Sequence, residues 1–215
     1  MIITLDGPAG SGKSTTARML AKRLAAVYLD TGAMYRSVTL VALENGVDAT
    51  DAKRLDDISS KISINFIEDE NGQRVMVNGR DRTVEIRTPE VEKLVSTVSS
   101  HKVVREKMVH LQREIASKHP KVVVEGRDTG SVVFPNADHK FFLSANTEVR
   151  AQRRVTQNSG SGIKTGNMVQ EIMERDEKDS TRQVSPLMVP QGAVEIDNTN
   201  LSLDETIERI IRLLA

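Results

Sequence analysis

The sequence predicts an α/β protein: a doubly wound, five-stranded parallel sheet with helices on both faces, a small antiparallel β-rich insert and a short helical lid. Three observations predict it. A glycine-rich loop, Gly7-Pro8-Ala9-Gly10-Ser11-Gly12-Lys13-Ser14, stands between the apolar run Ile2-Ile3-Thr4-Leu5 and a run of good helix formers over 14–24. Short apolar runs and helical patterns then alternate along much of the chain, as parallel strands joined by helices require. Two Asn-Gly pairs, at 71–72 and 78–79, interrupt that alternation with hairpin signals.

The loop fits the pattern Gly, four residues, Gly-Lys-Ser. Its glycines let successive backbone N–H groups turn inward on an anion, and the following helix N-terminus adds partial positive charge. Lys13 can reach the β- and γ-phosphates of a nucleotide, and the Ser14 hydroxyl can join a Mg²⁺ shell. This P-loop is shared by switch GTPases, motor ATPases and small-molecule kinases. Asn-Lys-x-Asp, the usual guanine-reading motif, is missing from the sequence, which argues against a GTPase.

The 215 residues suffice for one good-sized domain or a core with a small insert. Hydrophobic residues make up 38% but aromatics only 3%, so the core is expected to be aliphatic. A formal net charge of zero argues against a general nucleic-acid or membrane-surface binder. With no cysteine, disulfides, thiolate catalysis and cysteine-ligated zinc are excluded. The first strand starts at residue 2 and no apolar run approaches the ~20 residues of a membrane span, so a cytoplasmic protein is expected.

Along the chain, helix one buries Ala17, Leu20, Ala21 and Leu24 on one face. Ala26-Val27-Tyr28-Leu29 reads as a second strand ending at Asp30, Thr31-Gly32 as a turn, and 34–45 as a helix stopped by Gly46. A helix over 51–62 is capped by Thr50 or Asp51. Short strands are expected at 63–67, 74–77 and 83–86, forming an insert over 60–95. Thr88-Pro89-Glu90 opens a helical stretch that runs, with a break near His101, to about Lys118. Strands follow at 122–124, 141–143 and 193–196, with helices over 146–157, 168–182 and 203–214. Residues 158–162, Asn-Ser-Gly-Ser-Gly, are flexible by composition. The core is thus 1–59 and 96–215, with a lid near 150–183.

Arginines recur around the expected site. Arg150, Arg153 and Arg154 share a helix face before the glycine-serine stretch; Arg175, Asp179 and Arg182 share one after it. Two charged faces joined through a flexible segment suggest a lid over phosphates. Phosphoryl transfer relies on positioning and charge neutralisation. An acceptor that is itself a phosphate needs cations but no general base, and the arginine count fits that better than transfer to an alcohol. Two turns at strand ends, Asp30 to Arg36 and Glu125-Gly126-Arg127-Asp128, offer Arg36 and Arg127 to such an acceptor. Asp30 and Asp128 also suit capping or turn roles. His101, His110 and His119 recur every nine residues, so neighbours would face opposite sides of a helix, and no metal site is read from them.

The P-loop, Leu29-Asp30-Thr31-Gly32-Ala33-Met34-Tyr35-Arg36, Glu125-Gly126-Arg127-Asp128-Thr129-Gly130 and Glu174-Arg175-Asp176 together resemble the bacterial cytidylate kinase family, over nearly the whole chain. The resemblance implies a nucleoside monophosphate kinase fold with core, monophosphate-binding insert and lid. It implies ATP with Mg²⁺ as donor and CMP or dCMP as acceptor, giving CDP or dCDP in pyrimidine nucleotide metabolism. Gly7, Pro8, Ala9, Gly10, Ser11, Gly12, Lys13, Ser14 and Thr15 would hold ATP, with Ser14 on the metal. Thr31, Arg36 and Arg127 would hold the acceptor phosphate, Tyr35 would line its pocket, Asp179 would meet the ribose, and Arg175 would bind the substrate. Ser96, Arg105, Asp128 and Arg182 would read cytosine. Lys13, Arg127, Arg150 and Arg153 would be catalytic, with Arg154 on the donor. Cytosine fits these groups: Arg105 donates to N3 and Asp128 accepts from N4, whereas uracil reverses both. A monomer without nucleic-acid or membrane partners is expected.

Overall fold

β1 (Ile2–Asp6) is the central strand of a computed structural model that describes residues 1–70, 72–157 and 165–214. It is flanked by β6 (Val122–Gly126) and β7 (His139–Ser144), both parallel to it. β2 (Val27–Asp30) and β8 (Val194–Asp197) complete an all-parallel sheet of order β2-β6-β1-β7-β8. β6 is buried throughout and β1 from Ile3 onward, as parallel strands covered on both faces are. No helix among the described residues is long and apolar enough to cross a membrane.

Alternation along β1 sets two faces. Ile3 and Leu5 point into a core shared with Phe141, Leu143, Val123 and Ile196, and with Leu20 of α1 (Lys13–Leu24) and Ile207 and Ile210 of α8 (Leu203–Leu214). Each such aliphatic side chain contributes ~1.5–3 kcal/mol by leaving water. Thr4 and Asp6 point the other way and are equally buried. The expected aliphatic core is observed.

The chain divides into two compact units, residues 1–29 with 116–215, and residues 30–115. The second unit holds α2 (Thr31–Glu44), α3 (Ala52–Lys61), a three-stranded antiparallel sheet, α4 (Pro89–Ser100) and most of α5 (Lys102–Ser117). Asp51, rather than Thr50, caps α3 by accepting from Arg54 N. The break between α4 and α5 falls at His101.

Three expectations are corrected. Thr31-Gly32 is not a turn before a helix at 34; α2 begins at Thr31 because the Asp30 carboxylate already caps it, accepting from Ala33 N at 2.7 Å. The segment 83–86 is not a strand. The small sheet is β3 (Ile64–Asp69), β4 (Gly72–Val77) and the two-residue β5 (Arg80–Asp81), after which Glu85–Arg87 winds into a 3₁₀ turn. The pair Asn78-Gly79 places both residues at positive φ, 50° and 77°, and so makes a tighter hairpin than expected. Glu125 and Gly126 lie inside β6, so the turn after that strand starts at Arg127. Asn71 and the stretch 158–162 lie outside the described residues.

The lid candidates are α6 (Thr147–Gln157) and α7 (Thr165–Thr181), which share a small core of Ala151, Met168 and Ile172.

Candidate active site

The first unit gathers most of the predicted donor-side residues at the C-terminal ends of its strands. The P-loop leaves β1 at Gly7, where φ is 148° and a Cβ would stand 2.1 Å from the Leu143 carbonyl oxygen, so a side chain here would force strand and loop apart. Gly12 forms the cap of α1, which begins at Lys13. Lys13 folds back over the loop, its Nζ donating to Pro8 O at 2.6 Å and Ser11 Oγ at 3.3 Å. Burial, then the nearby Arg127 charge, push its pKa well below the usual lysine range, against the pull of Glu125, Asp176 and Asp6. Ser14 Oγ donates to Glu125 Oε2 at 2.9 Å, and the Tyr28 hydroxyl donates to the other oxygen of the same carboxylate.

The loop is gripped from two further directions. Asp176 of α7 accepts from Ala9 N at 3.0 Å and pairs with Arg150 of α6, which also donates to Ala9 O at 3.0 Å. Asn198 Nδ2 donates to Ser11 O at 2.9 Å, while Arg153 donates to both Asn198 Oδ1 and Asn198 O, each at 2.9 Å. The predicted catalytic arginines Arg150 and Arg153 thus meet the P-loop as ties, one directly and one through Asn198. Arg154 lies one position further along α6, and Thr15 in the first turn of α1.

A second cluster follows β6. Arg127 Nε donates to Asp179 Oδ2 at 2.9 Å, and the Arg182 guanidinium lies 3.8 Å from Asp179 and 3.7 Å from Asp128. Burial would push Asp179 up, but Arg127, Arg175 and Arg182 hold its pKa below the carboxylate value. Burial likewise opposes the Arg127 charge, yet Asp179 outweighs it, raising the Arg127 pKa and keeping the guanidinium charged.

In the second unit, Asp30 at the end of β2 collects Arg36 at 2.9 Å and Arg87 at 3.2 Å. Arg36 is buried, whereas the Arg87 side chain is 53% exposed. Burial pushes Asp30 up, but Arg36, Arg87 and the Ala33 N–H hold it below its usual value, so it is an anion. Thr31 opens α2 beside it. Tyr35 lies under the Arg105 guanidinium, 5.0 Å from its ring centroid, and Arg105 donates to Ser99 O at 3.1 Å. Ser96, one turn earlier on α4, is half-buried and its carbonyl accepts from Ser99 Oγ.

Glu125, Asp176, Asn198 and Arg87 are site residues to which the sequence assigns no role. Glu125 carried a signal: an acid ending the strand beside the P-loop strand. The other three come together with their partners only through tertiary contact.

The cytidylate kinase family model matches residues 3–215. A cytidylate kinase of Lactobacillus gasseri is 45% identical over 100% of this chain and 94% of its own length. One of Bacillus cereus is 44% identical over 99% of this chain and 95% of its own. Among solved structures, a shikimate kinase from Acinetobacter baumannii in complex with shikimate covers 99% of this chain and 92% of its own at 16% identity with a TM-score of 0.50, a likeness of fold alone. With the family model matched from residue 3 to residue 215 and relatives 44–45% identical over 99–100% of its length, the chain belongs to the cytidylate kinase family.

Proposed function

We propose that this protein transfers the γ-phosphoryl group of ATP to CMP or dCMP, giving CDP or dCDP, by direct in-line displacement. The supporting observation is the way each unit ends its strands: a P-loop with Lys13 and Ser14 in the first, and a guanidinium-laden carboxylate, Asp30 with Arg36 and Arg87, in the second. The residues 60–95 serve as the monophosphate-binding insert and 150–183 as the lid.

On the donor side, P-loop N–H groups and Lys13 cradle the phosphates, and entry of the nucleotide draws Lys13 from Pro8 O to the phosphate oxygens. Arg150, Arg153 and Arg154 serve the lid side. On the acceptor side, Arg127, with Thr31 and Arg36, neutralises the monophosphate, which is already ionised and needs no base. Arg105 and Asp128 present a donor to cytosine N3 and an acceptor to N4, with Ser96 and Arg182 beside them in role and Tyr35 lining the pocket. Asp179 serves the ribose, and Arg175 also binds the substrate.

The oxygen pair Ser14 Oγ and Glu125 suits a hard divalent cation, and these two residues would hold Mg²⁺. Bound there, Mg²⁺ neutralises charge on the donor phosphates. The protein acts as a cytoplasmic monomer.

A coupled assay across CMP, dCMP, UMP, AMP, GMP and dTMP tests the reading. Preference for cytosine nucleotides is expected, and equal or better rates on another base would overturn it.

A further inference from the structure

Asp6 has no part in the roles above, yet it is fully buried at the end of the central strand, on the opposite face from Ile3 and Leu5. Its carboxylate accepts three hydrogen bonds. Thr129 N and Thr129 Oγ1 both donate to Oδ1 at 2.8 Å, and Gly130 N donates to Oδ2 at 2.7 Å. These donors open the turn Thr129–Val133, a π-type turn of wide pitch, immediately after Arg127 and Asp128. The Asp128 carbonyl accepts from Val132 N and Val133 N, so the turn is closed on its own backbone as well. Gly130 sits so close that a Cβ there would lie 2.8 Å from Thr4 Oγ1 and 3.3 Å from Asp6 Oδ2.

β1 and β6 are in register up to Asp6 opposite Gly126, after which the two chains part. The first residues past that point, Arg127 and Asp128, have left the sheet ladder. Asp6 is what fixes the backbone just beyond them. We infer that Asp6 is a positioning residue for the acceptor: by holding the N–H groups of Thr129 and Gly130 it sets where Arg127 and Asp128 point. The inference rests on the reading that Arg127 and Asp128 meet the acceptor nucleotide.

The chemistry makes the site sensitive to a single atom. In Asp6→Asn, an amide NH₂ on either side of the carboxamide faces an N–H donor, so two donors oppose each other. Burial raises the Asp6 pKa above the usual aspartate value despite its three donors, in keeping with a carboxylate held by neutral dipoles rather than by a cation.

The test is steady-state kinetics on Asp6→Asn, Thr129→Val and Arg127→Ala, with CMP and ATP varied separately. Thr129→Val removes only the hydroxyl donor and keeps the shape and both N–H groups. For Asp6→Asn, KM for CMP should rise ~10-fold or more while KM for ATP stays within about threefold, as expected of a sub-ångström misplacement confined to one substrate. For Thr129→Val, KM for CMP should rise about threefold, the loss of one hydrogen bond of ordinary strength. Unchanged KM for CMP in both variants, or equal rises for CMP and ATP, overturns the inference. If Asp6→Asn does not fold, Thr129→Val decides by the same criterion. If Arg127→Ala itself leaves KM for CMP unchanged, it is the acceptor-site reading that fails, and the two failures are thereby told apart.

Discussion

Asp6 and Asp30 are the same residue at the same kind of place, the last position of a parallel strand, and their surroundings push them opposite ways. Both are buried, which alone disfavours the anion. Asp6 meets three neutral donors, and burial wins: its pKa is raised. Asp30 meets one backbone N–H and two guanidinium groups, and the cations win: its pKa is lowered. The contrast separates two uses of a buried carboxylate. Dipoles hold Asp6 in place so that it can shape backbone, whereas cations hold Asp30 charged so that it can orient arginines.

The largest expected effect lies with the cations themselves. Arg127→Ala and Lys13→Ala should each lower kcat by ~10³ or more, because each removes a charge offered to phosphoryl oxygens. Circular dichroism should show both still folded. A normal rate in either would remove that residue from the site.

Next comes Asp30→Ala, which leaves Arg36 facing a buried void. Loss of one partner from a buried pair should cost ~3 kcal/mol in urea unfolding. KM for CMP should rise as Arg36 and Arg87 lose their common anchor. A stability change under ~0.5 kcal/mol would place Asp30 with exposed pairs instead.

The pH dependence sharpens the contrast further. Asp30 and Asp179 have folded pKa values below their reference value of 3.8, so each contributes stability that is present above pH 3.8 and lost as pH falls through the folded value. Asp6, with a folded pKa above 3.8, works the other way: its burden on the fold is relieved as pH falls through the raised value. Urea midpoints measured downward from pH 7 should therefore drop less steeply below pH 3.8 in Asp30→Asn than in the parent chain. An equally steep drop would show that Asp30 is not held by its arginines.

The smallest effect is expected at Gln112. It is 0% exposed and neither amide atom has a hydrogen-bond partner among the described residues, so it has neither cation nor dipole. Gln112→Met should be neutral or stabilising by ~1 kcal/mol, with kcat unchanged. A clear loss of stability would show that the amide is satisfied after all.

Local signals were legible where local physics decides. The glycine-rich loop between a strand and a helix, the helix over 203–214, the break at His101 and the Asn78-Gly79 hairpin all follow from spacing, capping and φ preferences. The start of α2 was missed because a turn and a capped helix begin with the same residues; what decides is whether the Asp30 side chain reaches Ala33 N. The segment 83–86 has strand composition, but β5 ends at Asp81, whose carboxylate accepts from Thr83 N and Oγ1 two residues on. Arg87 follows directly and meets Asp30, 57 positions earlier, a pairing that no spacing rule announces.

The sequence by itself determined the class of fold, the phosphate loop, the family and the supply of arginines, because each is written in contiguous residues with a local physical meaning. Only the tertiary structure decided which carboxylate meets which arginine, that Arg150 and Asp176 grip Ala9, and that Asp6 holds the turn behind Arg127. Those pairings join residues more than a hundred positions apart in several cases, and a charge has no fixed partner until packing removes the water that would otherwise serve it.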